Sequence, residues 1–274
     1  MRFMDLRDPR YAYMFGFIQA DGHLHAGSGN KGRLAVEIGV RDVQLLEKFR
    51  ELCPYPSSVT TRTRRTNFAE EATSAVWNVC ALEARRIVNE LGVPYGKKSS
   101  SVKPPTEEHS AADYVRGLID ADGAVGFTAK GYPFVSFTTQ SDALIEYFCD
   151  FGFHTTGAIR NPSRNARDNI YNIMYFNDDA AALAKVLYTP DCLALERKRE
   201  KAAPVIAWER PSHMRARGVQ RRWTPEEDEV IRRHPPEQAA VLLGRTLSSC
   251  QTRHWRIVGP KKPRVFSPSR KPPA

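Results

Sequence analysis

The stretches YMFGFIQADGHL, residues 13–24, and YVRGLIDADGAV, residues 114–125, align at a constant offset of 101 residues. Gly16 pairs with Gly117, Ile18 with Ile119, Ala20 with Ala121, Asp21 with Asp122 and Gly22 with Gly123. A chain of 274 residues that repeats once at this interval is constrained to two similar halves and a remainder. Downstream of each motif the order of patterns is the same. Alternating stretches (RLAVEIGV, 33–40; PFVSFTTQ, 133–140) precede helical patterns (VQLLEKFREL, 43–52; ALIEYFCDF, 143–151). Two further strand-like runs follow, SVTTRTRR and SAVWNVCAL in the first half, TTGAIRN and IYNIMYF in the second. A helix closes each half, EARRIVNELG at 83–92 and DAAALAKVLY at 179–188. The patterns predict an α+β fold of two pseudo-symmetric αββαββα halves, 1–103 and 104–203, hinged at KPPTEEHS, 103–110.

Each motif ends an apolar helix on an acid. Gly16 and Ala20, like Gly117 and Ala121, stand four apart and share a helix face, so two such faces can bring backbones unusually close. Phe17 and Ile18, or Leu118 and Ile119, then pack into their own half, and Gly22 and Gly123 suit the helix stop. Packing the small faces together sets Asp21 beside Asp122. Two like charges near two helix C-termini repel, which divalent cations in the gap would relieve; oxygen ligands favour Mg²⁺.

These residues resemble the LAGLIDADG homing endonucleases. VRGLIDADG, 115–123, is similar to the motif almost letter for letter, and MFGFIQADG, 14–22, more loosely, with Gln19 replacing the earlier acid. The resemblance covers residues 8–203. It implies a monomer whose motif helices join the halves and whose sheets form a saddle over double-stranded DNA. It implies that Asp21 and Asp122, with Ala20 and Ala121 beside them, hold two or three Mg²⁺ ions, with Mn²⁺ able to substitute. It places a basic residue near each cleaved phosphate, where Lys98 and Lys198 follow the acids by 77 and 76 residues; ordinary solvated charge is the other reading. Gln140 matches a water-organising glutamine of the family, and Arg41 is taken as its first-half counterpart.

On such a saddle every second side chain of a strand faces the major groove. The first half offers His23, His25, Lys31 and Arg33, and then Thr61, Thr63 and Arg65. The second offers Thr128, Lys130, Ser136 and Thr138, and then Arg160, Asn161 and Arg164. A slip by one residue reverses any of these assignments.

Net charge is +10, and its location narrows the partners: 15 of the 41 Lys and Arg but 5 of the 31 Asp and Glu lie in Arg210–Ala274. The excess suits a polyanion. After a basic linker, 204–221, WTPEEDEVIRR predicts a helix capped by Thr224, with Pro225 first and Glu227 closing a capping box. PEQAAVLLG and SSCQTRHWRI predict two more. With "WTPEED", "GRT" and "RHW", residues 222–258 resemble a Myb/SANT-like domain with Trp223 and Trp255 as core aromatics. The resemblance implies that the third helix reads DNA through Ser249, Thr252, Arg253 and Arg256, although some such modules bind protein tails. The Pro-rich basic tail, 259–274, reads as disordered.

The five cysteines are scattered and never spaced as CxxC, which excludes a disulfide framework or zinc site as an expectation. No stretch reads as a membrane span or targeting signal, so a cytoplasmic (bacterial or phage) or organellar protein is expected. The expected function is a site-specific, Mg²⁺-dependent double-strand DNA endonuclease of the homing type, cutting a long asymmetric target to leave short 3′ overhangs. A catalytically silent transcriptional regulator, or a maturase that binds intron RNA, are the alternatives on the same scaffold.

Overall fold

The side chain of Asp8 accepts the Arg10 amide and Pro9 takes the first helical position, so helix α1 begins there and spans Pro9–Asp21. Its pseudo-symmetric mate, α4, spans Ala111–Asp122. The structure, a computed structural model, describes residues 2–64, 71–212, 214 and 221–259. The chain divides into two units, Met1–Gly218 and Val219–Ala274.

α1 and α4 pack directly on one another through their glycines. A Cβ on Gly16 would lie 2.3 Å from the Tyr114 carbonyl oxygen, and one on Gly117 would lie 2.2 Å from that of Tyr13. No side chain fits at either place. Residues 11–19 of α1 and 114–120 of α4 are buried all round, as a helix enclosed between two halves requires. The glycines after the acids differ from the expected left-handed stop. Gly22 (φ −72°) and Gly123 (φ −115°) are extended and begin strands. Glycine is needed there for space, since a Cβ would come within 2.5 Å of the Ile18 carbonyl or the Ser136 carbonyl.

In the first half, β1 (Gly22–His25), β2 (Arg33–Gly39), β3 (Ser57–Arg64) and β4 (Ala72–Val79) form an antiparallel sheet in the order β1-β2-β4-β3. α2 (Val43–Leu52) and α3 (Leu82–Glu90) complete it. Phe49 contacts both Phe17 and Trp77 edge-on, at 5.7 and 5.9 Å between ring centroids, which ties α2 to the motif helix and the sheet.

The second sheet has three strands among the described residues: β5 (Gly123–Phe127), β6 (Pro133–Thr139) and β7 (Tyr171–Phe176), in that order. The run TTGAIRN is not a strand. Helix α5 (Asp142–Thr156), capped by the Ser141 hydroxyl, takes in both threonines, whose hydroxyls donate back to Phe151 and Gly152. Gly157, at φ +66°, then stops it, and the chain regains the sheet only at one bridge, Arg164 with Tyr171. α6 (Asp178–Leu187) and α7 (Glu196–Ile206) close the half, so the expected linker begins inside a helix.

In the C-terminal unit, α8 (Pro225–Arg233) carries the expected capping box, α9 (Pro236–Leu243) stops at left-handed Gly244, and α10 (Leu247–Val258) follows. Ile231, Ala239 and Cys250 form its small core, with Trp223 packed against them. Trp255 is not a core aromatic: it is 64% exposed, because α10 turns Cys250 and Ile257 inward instead. None of the five cysteines is in a disulfide, and among the described residues no helix is long and apolar enough to cross a membrane.

Candidate functional site

The seam ends where α1 and α4 deliver Asp21 and Asp122. Both residues keep surface open to solvent, yet protein crowded around the carboxyl groups favours their protonated forms. Asp122 is pushed up to about 6, by partial desolvation first and by the Asp21 charge second. Asp21 is raised by the same desolvation, against the pull of Lys98, Lys198 and Arg197. Two carboxylates that disfavour each other's charge, beside backbone carbonyls, form an all-oxygen set fitted to a hard divalent cation. Among the described residues no three His, Cys, Asp or Glu gather anywhere, so an ion here would draw its remaining oxygens from backbone, water or phosphate.

Both candidate lysines are buried, Lys98 at 8% and Lys198 at 5% exposure, and neither is a solvated surface charge. Lys98 Nζ donates to the carbonyls of Gln19 (2.6 Å) and Ala20. Lys198 Nζ donates to those of Ile119 (2.7 Å), Asp120 (2.7 Å) and Gly123 (2.9 Å). Each ammonium therefore caps the C-terminal end of a motif helix and offsets its partial negative charge next to the acid. Burial pushes Lys198 down to about 8, while Asp120, Asp21 and Asp122 hold it up. Burial lowers Lys98 too, against Asp122 and Asp21.

A cavity of about 180 Å³ brings Lys98 and Ala20 of the first half together with Asp122, Thr138 and Gln140 of the second. The site is thus composite across the seam. Gln140 follows β6 directly. Because Gly22 faces Val36 and Gly123 faces Phe137, the first-half position matching Gln140 is Gly39, not Arg41. Arg41 lies two residues further on, exposed, 3.7 Å from Asp42.

Strand register sorts the candidate DNA-facing residues. His23, His25 and Arg33 share the outward face of the first sheet, with Lys31 exposed in the loop before β2. On β3 the register is one residue off the expectation. Val59 pairs with buried Trp77, so Thr61 and Thr63 lie on the core-side face, and Ser58, Thr60, Arg62 and Arg64 lie outward. Arg65 lies outside the described residues. Thr138 faces outward on the second sheet, Ser136 lies on the same face but is buried at 8% exposure, and Thr128 and Lys130 sit in the β5–β6 turn. Asn161 is exposed. Arg160 instead donates to the Met174 carbonyl and lies over the Tyr175 ring, 4.7 Å from its centre. Arg164 bridges the Gln140 carbonyl and the Asp142 carboxylate, both at 2.8 Å, so it braces the chain beside Gln140.

On the C-terminal unit, Ser249, Thr252, Arg253 and Arg256 line one shallow surface with Trp223. Arg253 is engaged internally, in a two-pronged pair with Asp228 at 2.7 and 2.6 Å, which leaves Arg256 as the exposed cation of the set.

Tyr13 and Tyr114, also 101 apart, were available to sequence reasoning and were missed. Each crosses the seam: the Tyr13 hydroxyl donates to Asp120 at 2.7 Å and the Tyr114 hydroxyl donates to Gln19. Asp120, buried, also accepts from the Tyr188 hydroxyl and the Leu195 amide, both at 2.7 Å. Removing the hydroxyl that serves a carboxylate should cost more than removing its neutral-acceptor twin. Tyr13→Phe should therefore lower unfolding free energy by about 2 kcal/mol and Tyr114→Phe by about 1 kcal/mol. Urea unfolding of the two variants checks the order; equal losses would contradict it.

No protein-family model matches the chain, and no curated protein matches it. Among solved structures it is similar to the homing endonuclease I-WcaI bound to its DNA recognition sequence, with a TM-score of 0.50 and 11% identity over 72% of this chain and 87% of that chain. It is also similar to the meganuclease I-SmaMI bound to uncleaveable DNA with a TTGT central four (TM-score 0.48, 10% identity, 92% and 98% covered). Full-length DUF199/WhiA from Thermatoga maritima is a further neighbour (TM-score 0.46, 11% identity, 90% and 88% covered). At these identities the likeness is one of fold: two antiparallel sheets with helices, in the LAGLIDADG arrangement.

Proposed function

We propose, from a fold shared with a DNA-bound homing endonuclease, that this chain is a site-specific double-strand DNA endonuclease working with a divalent metal ion. The observation that carries the reading is the convergence of Asp21 and Asp122 at the foot of one seam, each beside a helix end capped by a buried lysine. The two acids, with the Ala121 carbonyl, would hold Mg²⁺, while the Ala20 carbonyl already accepts the Lys98 ammonium. When bound, the ion supplies activation of water and stabilisation of the departing 3′ oxygen.

The chain's own residues do the rest. Lys98 and Lys198 place fixed positive charge beside the carboxylates and a docked phosphate, with no side-chain entropy left to lose on binding. Gln140 hydrogen-bonds a water in the cavity it shares with Asp122 and Lys98. Gly39 supplies no such group, so the two strands are cut at unequal rates. One copy contains both halves of the site and acts as a monomer. The C-terminal unit adds affinity by effective concentration, with Arg256 on phosphate.

The test is a plasmid pool carrying randomised inserts, incubated with the full chain in Mg²⁺ or EDTA, its new ends sequenced. Ends with short 3′ overhangs at a recurring sequence, in Mg²⁺ only, are expected. Recurrent binding without cutting would replace the reading with a regulator. Splicing of an intron RNA only when protein is added, without DNA ends, would replace it with a maturase.

A further inference from the structure

The outward faces of the two sheets differ in chemistry more than their shared topology requires. On the first, Arg33 lies at one end of the face and Arg62 and Arg64 at the other, and the last two pair with Glu37, which also accepts the Ser74 hydroxyl at 2.6 Å. Arg62 and Arg64 remain half exposed, at 51% and 56%. On the second, the ladder sets Phe134 between Gly126 and Phe176, and Ser136 between Ala124 and Met174. Thr138 stands beside Asn172. No residue on that face is charged. Phe176 is 38% exposed, and Phe134 and Met174 are only partly buried.

These three apolar side chains are not needed for the core. The opposite face of the same strands already supplies buried Val125, Val135, Phe137, Ile173 and Tyr175. In the major groove guanine presents two acceptors that suit arginine, cytosine a donor that suits a carboxylate, and thymine a methyl group that suits an apolar side chain. Resting on the reading of the chain as a duplex-DNA nuclease, we infer that its target is split in composition. The second sheet takes a thymine-rich half-site through Phe134, Met174 and Phe176. The first takes a G·C-containing half-site through Arg33, Arg62, Arg64 and Glu37. Thr138, whose hydroxyl both donates and accepts, tolerates either base at its position.

The full chain, in EDTA to prevent cutting, is used to select from a pool of randomised DNA duplexes. The recovered sites should carry thymine on one side and G·C pairs on the other. Uracil, which lacks the methyl, is then substituted for each thymine of the first side. Each contacted position should weaken binding about fourfold, the worth of one buried methyl. The same change on the other side should have no effect, and Phe176→Ser should abolish one of the uracil effects. Sites of even composition, or uracil without effect on either side, would overturn the inference while leaving the nuclease reading intact. Failure to enrich any duplex would overturn both. The uracil comparison uses the unaltered protein, so it stands whether or not the variant folds.

Discussion

Asp21→Asn and Asp122→Asn should each lose double-strand cleavage by about 10³-fold or more while retaining DNA binding, since a lost ligand forfeits several kcal/mol of charge stabilisation in the transition state. The same variants should be more stable than the parent without metal. Asp122 is held up to about 6, so its folded form binds a proton more tightly than its unfolded form does. The cost of its charge, desolvation first and the Asp21 charge second, is therefore full above about pH 6 and fades as pH falls toward the ordinary carboxylate range, where both states are protonated. In EDTA at pH 7 each Asn variant should melt about 2–4 °C above the parent, a gain of about 1 kcal/mol after solvent screening. Near pH 4 the difference should close. Thermal melts at the two pH values, beside a cleavage assay, check both halves. A variant that still cuts both strands, or one that melts lower than the parent at pH 7, would refute the paired-acid site.

Gly16→Ala and Gly117→Ala should each be strongly damaging. Elsewhere in a helix, glycine to alanine stabilises by about 0.5–1 kcal/mol. Here the new carbon would sit 2.3 or 2.2 Å from a carbonyl oxygen of the facing helix, with a backbone nitrogen also near at 3.2 or 2.9 Å. Backbone on both sides cannot turn away as a side chain can, so α1 and α4 must separate. That separation strains the hydrogen bonds of Tyr13 and Tyr114 across the seam. A loss of about 3 kcal/mol or more is expected, the upper range for overpacking. Cleavage should fall with it, because the acids part when the helices do. Urea unfolding decides the matter: a neutral or stabilising alanine at either position would mean that the helices do not cross there.

Which parts of this were readable beforehand follows from the kind of signal each left. The seam was readable because glycine, alanine, acid and glycine recur at one offset. The face of β3 was not. In VTTRTRR both faces are polar, so alternation carries no contrast, and the side that packs is settled by Val59 meeting Trp77 from another strand. The strand expected at TTGAIRN failed for a related reason. Thr155 and Thr156 favour strands on their own, but the cap at Ser141 and the back-bonded hydroxyls carry α5 through them. In the C-terminal unit a tryptophan suggested a core position, yet Trp255 lies outside because the helix rolls to bury Cys250.

The lysines show the same division. Their positions after the acids were visible in the chain, but their burial, and their use as caps on the motif helices, came only with the folded structure.

By itself the sequence determined that there are two halves, that each ends a buried helix on an acid, and that a basic remainder follows. Those properties are local: periodicity, small residues four apart and charge counts need no knowledge of neighbours. Only the tertiary structure decided that Lys98 shares a cavity with Asp122 and that each seam tyrosine bonds the opposite helix. Such pairings join residues far apart in the chain, where packing against a common partner, not pattern, selects which atoms meet.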